Sequence, residues 1–293
     1  MNIIYLQLLI TSLLVAVSCA LPGTFLILRG TSLMSDALGH AILLGIVLSF
    51  FIVKNLQSPL IFLGATLTGI IMVAIIELLI SSKRLKPDTV IGIIFPLLFS
   101  IAVILINLYA SSIHIDIDAV LLGELSFSPF HTLKAYSYDL GPYSIWIMSV
   151  ILCLNIAFIA LFYPALQITT FDKDYATLLS YRPSLINYGL MTITSITIVG
   201  AFECSGAILI VAFMIIPPAT AYIVTKQLSH MLIISCLIAL IAAVSGCLIA
   251  NFLNVSIAGS IATMNSVLFF STLFTQKTFA KKQHFYTIPF KNK

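Results

Sequence analysis

Charged side chains are scarce in this sequence. Only 8% of its 293 residues are Asp, Glu, Lys or Arg, against roughly 25% in an average soluble domain. Hydrophobic residues make up 60% of the chain, so too few polar side chains remain to cover a water-exposed surface. The composition therefore excludes a soluble enzyme and predicts an integral membrane protein. It also provides no dense basic patch, so no nucleic-acid partner is expected.

Several sequence motifs of catalysis and of metal binding by cysteine are absent as well. No segment matches the phosphate-binding pattern G-x-x-x-x-G-K-[ST] or the zinc-protease pattern H-E-x-x-H. The five cysteines form no close pair and lie in or beside apolar runs, at Cys19, Cys153, Cys204, Cys236 and Cys247. We therefore expect a chain that is not an enzyme, does not hydrolyse ATP itself and holds no tightly bound cofactor.

Long apolar runs are what the sequence has in abundance. A membrane-spanning helix needs about 20 mostly apolar residues, and about eight or nine runs meet this criterion: residues 3–28, 33–53, 59–81, 89–109, 143–166, 187–202, 207–225, 231–251 and 255–275. The first run lacks the basic start of a signal peptide, so we expect it to be retained. The predicted fold class is all-α: one polytopic transmembrane domain over residues 1–293.

Residues 187–225 require a reversal of the chain. A single helix of that length would extend about 58 Å, far beyond an apolar core of about 30 Å. The predicted turn is Glu203-Cys204-Ser205-Gly206, where a carboxylate and a flexible glycine interrupt the apolar run.

The basic residues indicate the orientation. When the tail formed by residues 276–293 is placed in the cytoplasm, every Lys and Arg except Lys54 and Lys134 falls on the inner side, as the positive-inside rule requires. The outer loop, residues 110–142, then carries four carboxylates that would attract cations, at Asp116, Asp118, Glu124 and Asp139. Within it, residues 119–131 are too short to span and are expected to lie on the membrane surface.

Asp36 and His40 are the candidate metal ligands. They stand four residues apart, on one face of a predicted spanning helix, and ionisable groups in such helices usually face a cavity or a partner. A carboxylate with an imidazole suits manganese, iron or zinc better than calcium. The alternative is a hydrogen-bonded pair that only orients helices. Glu203 is a possible accessory ligand, or else a solvated turn residue.

The order of motifs resembles the permease subunits of bacterial ATP-binding-cassette importers for manganese, zinc and iron. The resemblance covers nearly the whole chain, and two blocks are specific: Asp36-Ala37 with His40-Ala41, and Gly206 with Leu209, Ile216-Pro217 and Ala219-Thr220-Ala221. Weaker matches are Leu28-Arg29, Ser32-Leu33, Asp88-Thr89, Ile91-Gly92, Leu121 to Glu124, Phe171-Asp172 with Ala176, and Gly259. Tyr222 replaces a common arginine, and the glycine expected near Leu179-Ser180 is missing.

The resemblance implies an importer permease fold of the type II-like kind in a bacterial cytoplasmic (inner) membrane. It implies a second permease, as a homodimer or heterodimer, two cytoplasmic ATPase subunits and an extracytoplasmic metal-binding protein. Asp36 and His40 would be ligands in the translocation path. Contact with the ATPase is expected from Pro217, Pro218, Ala219, Thr220 and Ala221, in a short surface helix over residues 217–227.

Three functional hypotheses remain at this point. The leading one is the membrane-spanning permease subunit of an ATP-driven importer of a divalent transition-metal ion, which is its substrate. The alternative is a stand-alone cation-coupled carrier, in which Asp36 and His40 relay protons or a coupling ion. The third is a membrane scaffold without transport. The ligand set does not identify the metal.

Overall fold

The structure is a computed structural model that describes residues 3–54, 58–81, 85–109, 125, 132–135 and 138–286. Asp116, Asp118, Glu124 and nearly all of the predicted surface segment 119–131 lie outside these residues. Within the described part of the chain, nine helices are long and apolar enough to cross a membrane. The predicted number of crossings is confirmed.

The helices follow one another with short connections. The nine long ones are α1 (Ile3–Leu28), α2 (Leu33–Val53), α3 (Pro59–Ser81), α4 (Pro87–Tyr109), α5 (Tyr143–Phe171), α7 (Pro183–Ser205), α8 (Ala207–Val224), α9 (Leu228–Leu253) and α10 (Ile257–Tyr286). A six-residue helix, α6 (Lys173–Leu178), lies between α5 and α7. A two-stranded antiparallel ribbon, β1 (Thr132–Ala135) and β2 (Tyr138–Pro142), precedes α5 and was not predicted. The last helix also continues beyond its predicted end at residue 275.

Helix α1 lies inside the bundle and packs against α5, α7, α8 and α9. One continuous apolar core joins residues from all nine long helices. Many large apolar side chains point outward instead, such as Ile52, Leu161 and Phe252. Such a surface is stable only against membrane lipid or apolar partners, because water would not solvate it.

Hydrogen bonds between helices show which helix ends lie together at one end of the bundle. Arg29, just after α1, contacts Thr169 and Thr170 at the end of α5 and Asn187 near the start of α7, and Asn187 contacts Glu77 near the end of α3. We call this end of the bundle the basic end. Its described connections carry Arg29, Lys86, Lys173, Arg182 and Lys226, whereas Lys54 lies at the opposite end.

The chain reverses at Gly206. Asn187 is level with Arg29, and Thr197 is level with Ser18, since Asn155 joins the Ser18 carbonyl and the Thr197 hydroxyl. Met214 then lies against Gly23, which is back towards the basic end. Gly206 has φ 77° and ψ 163°, a conformation that only glycine adopts readily. The predicted turn is therefore confirmed, and a single residue makes it.

The prediction of a separate surface helix at residues 217–227 is wrong. Helix α8 continues through Pro217 and Pro218 to Val224, and both prolines are buried. A proline interrupts a helix because it cannot donate to the carbonyl four residues earlier. Here the carbonyl that Pro218 leaves unpaired, that of Met214, lies against Gly23 of α1. Thr220 donates its hydroxyl to the Ile216 carbonyl at 2.7 Å, a bond that threonine side chains inside helices commonly make.

Candidate functional site

Asp36 and His40 lie near the middle of the bundle. Leu38, between them in sequence, packs beside Gly69, and Gly69 also touches Ser195. Gly69 is central in the 23-residue α3, and Ser195 is central in the 23-residue α7. Because both helices span the bundle, the pair is about midway between its two ends.

The two side chains face each other along one side of α2. The His40 Nε2 and Asp36 Oδ1 atoms are 3.6 Å apart, which is longer than a good hydrogen bond. Two ligand atoms bound to one ion at about 2.1 Å each are about 3.4 Å apart in tetrahedral geometry. The separation therefore allows both atoms to bind the same divalent cation after small rotations.

Two phenylalanines of α4 fix the position of the His40 ring. Phe95 stacks on the imidazole with ring centres 5.9 Å apart, and Phe99 meets it edge-on at 5.5 Å. The Nε2 atom of the same ring also lies 3.6 Å from Asp36 Oδ1. The sequence did not reveal these contacts, although the spacing of the two phenylalanines by four residues places them on one face of α4.

The pair remains open on the surface of the protomer. Side-chain exposure is 45% for Asp36 and 33% for His40. No group of three or more His, Cys, Asp or Glu side chains that could hold a metal occurs among the described residues. One protomer thus supplies two candidate ligands, and the remaining positions around a cation stay open to water or to another chain.

Glu203 lies apart from this pair. It is exposed in the last turn of α7, beside the turn at Gly206, and it is close enough to Tyr143 for an electrostatic interaction. Ser195, on the same helix, is level with Leu38, so Glu203 lies further towards the end that carries Lys54. The structure does not group Glu203 with Asp36 and His40.

The predicted ATPase-contact residues are mostly enclosed. Pro217, Pro218, Thr220 and Ala221 are buried, and Ala219 is half-buried. Exposed side chains follow only at the end of α8 and just beyond it, at Tyr222, Val224, Lys226 and Gln227. This part of the chain therefore presents little surface to a partner.

A different segment is exposed at the basic end. Residues 171–182, which we call the α5–α7 loop, contain α6 and are exposed at every position except Ala176. Phe171, Tyr175 and Leu178 are exposed apolar or aromatic side chains in this loop. The carboxylate of Asp172 caps α6 by accepting a hydrogen bond from the Tyr175 amide at 2.9 Å. Ser180, where a glycine was expected, has φ 63°, so the glycine-type conformation is kept.

Comparison with known proteins identifies relatives along nearly the full chain. The manganese transport system membrane protein MntD of Bacillus subtilis is 41% identical over 261 residues, which cover 89% of this chain and 88% of MntD. The zinc transport system membrane protein TroD of Treponema pallidum is 45% identical over 264 residues, or 90% of this chain and 72% of TroD.

The architecture also matches a solved permease. PsaBC from Streptococcus pneumoniae, solved in complex with a Fab, aligns with a TM-score of 0.74 and 30% identity over 92% of this chain and 91% of the PsaBC chain. The family model described as ABC 3 transport family matches residues 2–276. Since that match spans nearly all the described helices, the chain belongs to the ABC 3 transport family.

Proposed function

We propose that this protein is the membrane-spanning permease subunit of an ATP-driven importer of a divalent transition-metal ion. The observation that carries the proposal is the Asp36–His40 pair, which lies halfway through the bundle and is open on one side of α2. Charged groups at such a depth cost at least about 2.5 kcal/mol each in lipid. A polar path through the membrane removes this cost. The relatives named for manganese and zinc transport support this class of substrate.

A second permease completes the path in this proposal. The open side of the pair would face lipid in an isolated protomer, which is unfavourable for a carboxylate. A partner permease that packs there would enclose the pair and could add ligands, as a second copy of this chain or a related one. Asp36 and His40 would then bind the ion while the two permeases alternate between outward and inward access.

The basic end of the bundle faces the cytoplasm in this proposal, together with the C-terminal tail. Arg29, Lys86, Lys173, Arg182 and Lys226 all lie there, and cytoplasmic loops are rich in Lys and Arg. The opposite face would receive the ion from an extracytoplasmic metal-binding protein. The relevant membrane is the bacterial cytoplasmic membrane.

The α5–α7 loop is the preferred contact with the ATPase. Exposed Tyr175 and Leu178 lie outside the membrane spans, and exposed Phe171 is the last residue of the α5 span. Aromatic side chains are enriched in the buried centres of protein interfaces. Tyr222 near the end of α8 and Lys226 just beyond it form a smaller contact. The ATPase subunits supply the hydrolysis, since this chain has no phosphate-binding motif of its own.

Uptake by single-residue variants tests the proposed ligands. Asp36→Ala or His40→Ala should reduce uptake of labelled manganese or zinc at least about 10- to 100-fold, the effect seen even for residues that only support a ligand. Membrane levels should stay unchanged. Asp88→Ala and His230→Ala are matched controls, because both side chains are exposed at the basic end. Near-normal uptake by either ligand variant would overturn the ligand assignment.

The stand-alone carrier is not favoured, because membership of the ABC 3 transport family points to an ATP-driven system. It makes a different prediction, namely that uptake persists in membrane vesicles without ATP and follows an ion gradient. Vesicles that contain the permease with and without its ATPase therefore distinguish the two functions.

A further inference from the structure

A half-buried arginine connects four helices at the basic end. The Arg29 guanidinium donates from Nε to Thr170 Oγ1 and from Nη2 to Thr169 Oγ1, both at 3.2 Å, and from Nη1 to Asn187 Oδ1 at 2.5 Å. The Asn187 amide nitrogen in turn donates to Glu77 Oε2. The cluster therefore joins the end of α1 to α5, α7 and α3. On sequence alone, Glu77 needs no partner, since its position near a helix end lets it reach the membrane surface.

The chemistry of the cluster requires arginine. Three acceptors surround the guanidinium in different directions, and only the planar fork of arginine supplies donors to all of them. Burial lowers the pKa of Arg29 to about 10, opposed by the nearby Glu77, so the group stays charged at neutral pH. Arg29, Asn187 and Glu77 are half-buried, and in a partly enclosed hydrogen-bond network the loss of one member leaves its partners without their bonds.

The hydrogen-bonded cluster lies between the α5–α7 loop and helix α2. Thr169 and Thr170 directly precede the α5–α7 loop, and Asn187 follows it by five residues. Arg29 therefore holds both ends of the loop. Arg29 also lies four residues before α2, which carries Asp36 and His40, and Glu77 is on α3, which packs closely along α2 at Gly45 and Gly64.

We infer that Arg29, Asn187 and Glu77 form a coupling relay between the ATPase-binding loop and the metal-binding helix α2. A movement of the loop displaces Thr170 and Asn187, and the rigid hydrogen-bonded fork carries this displacement to the α1–α2 connection and to α3. Arg29 is thus a positioning residue that does not touch the metal. The inference rests on the proposed function, because it assumes an ATPase on the α5–α7 loop and a metal ion at Asp36 and His40.

The test uses the complete transporter, with its ATPase and metal-binding protein, in proteoliposomes. Arg29→Lys, Asn187→Ala, Glu77→Gln and Thr170→Val each remove part of the relay. We expect the amount of manganese or zinc transported per ATP hydrolysed to fall about tenfold, within the usual range of coupling between sites. Metal binding to the detergent-solubilised permease should stay within about twofold of wild type, because the ligands are intact.

Asp88→Asn is the matched control for Glu77→Gln. It also neutralises a carboxylate near the basic end, but Asp88 is exposed, and we expect an unchanged transport-to-hydrolysis ratio. A purely structural role would lower transport and hydrolysis together and keep their ratio.

Three outcomes would overturn the relay. The first is an unchanged ratio in the variants that assemble, and the second is a loss of metal binding that parallels the loss of transport. The third is failure of all four variants to reach the membrane, which would make the cluster structural only. The proposed function fails separately: in that case the wild-type complex itself would show no ATP-dependent metal uptake.

Discussion

The His40 imidazole is the most constrained member of the candidate metal pair. Phe95 and Phe99 hold the ring from two directions, while Asp36 is nearly half exposed and approaches it at 3.6 Å. Pre-orientation of one ligand lowers the entropic cost of binding an ion. The aromatic contacts should therefore influence metal affinity even though neither ring is a ligand.

Phe99→Leu should weaken metal affinity without abolishing transport. Contacts between aromatic rings contribute about 0.5–1.5 kcal/mol, so the metal concentration for half-maximal uptake should rise about two- to tenfold. Phe270→Leu serves as the control, since Phe270 lies on α10 with 56% of its side chain exposed. An equal change in both variants would mean that Phe99 does not orient His40.

At the scale of elements, α1 and α8 pack with their backbones in close contact. Pro217 and Pro218 would favour a break in the helix, yet α8 stays continuous and its Met214 carbonyl lies against Gly23. Only a residue without a Cβ allows the two backbones to approach this closely. The glycine on one helix and the prolines on another therefore act as one packing unit.

Gly23→Ala should destabilise the protein strongly. The added Cβ would overlap the Met214 carbonyl, which belongs to the backbone and cannot rotate away; overpacking of this kind costs about 1–3 kcal/mol or more. Gly92→Ala is the control, because a Cβ there meets nothing within 4 Å and alanine favours a helix. Thermal unfolding in detergent should show a lower Tm for Gly23→Ala alone. Similar Tm values for both variants would contradict the close contact.

At the scale of the whole molecule, the two ends of the bundle differ in charge and in exposed structure. The basic end carries the α5–α7 loop with its exposed aromatic and leucine side chains, and the opposite end carries Lys54 at the end of α2. This asymmetry underlies both the proposed orientation and the proposed ATPase contact.

Single cysteines in a variant without the five native cysteines test both proposals together. Lys54→Cys should react with a membrane-impermeant maleimide added outside intact cells, whereas Leu178→Cys should react only in inverted vesicles. Leu178→Cys, at an 81% exposed position, should also crosslink to the ATPase. Thr220→Cys, at a fully buried position, should do neither. Labelling of Leu178→Cys from outside would reverse the orientation, and crosslinking from Thr220→Cys alone would move the contact to α8.

The membrane-spanning helices and the candidate metal ligands could be predicted from the sequence, because both depend on residues that are close together in the chain. A bilayer of fixed thickness requires apolar runs of a fixed length, so the nine crossings and the reversal at Gly206 follow from run lengths and one glycine. The helical repeat likewise places Asp36 and His40 on one face, whatever the rest of the fold.

Only the tertiary structure decided which distant residues meet. Arg29 and Asn187 are 158 residues apart, and neither sequence neighbourhood indicates the other. Helix α8 stays continuous through two prolines that are buried against other helices, so an interpretation of the prolines from local sequence gave the wrong helix boundary. The depth of Asp36 depended on the packing of Leu38 near Gly69. Local hydrogen bonds and the thickness of the bilayer determine where each helix forms and how long it is. Side-chain packing between helices determines which helices are in contact and at what depth each residue lies.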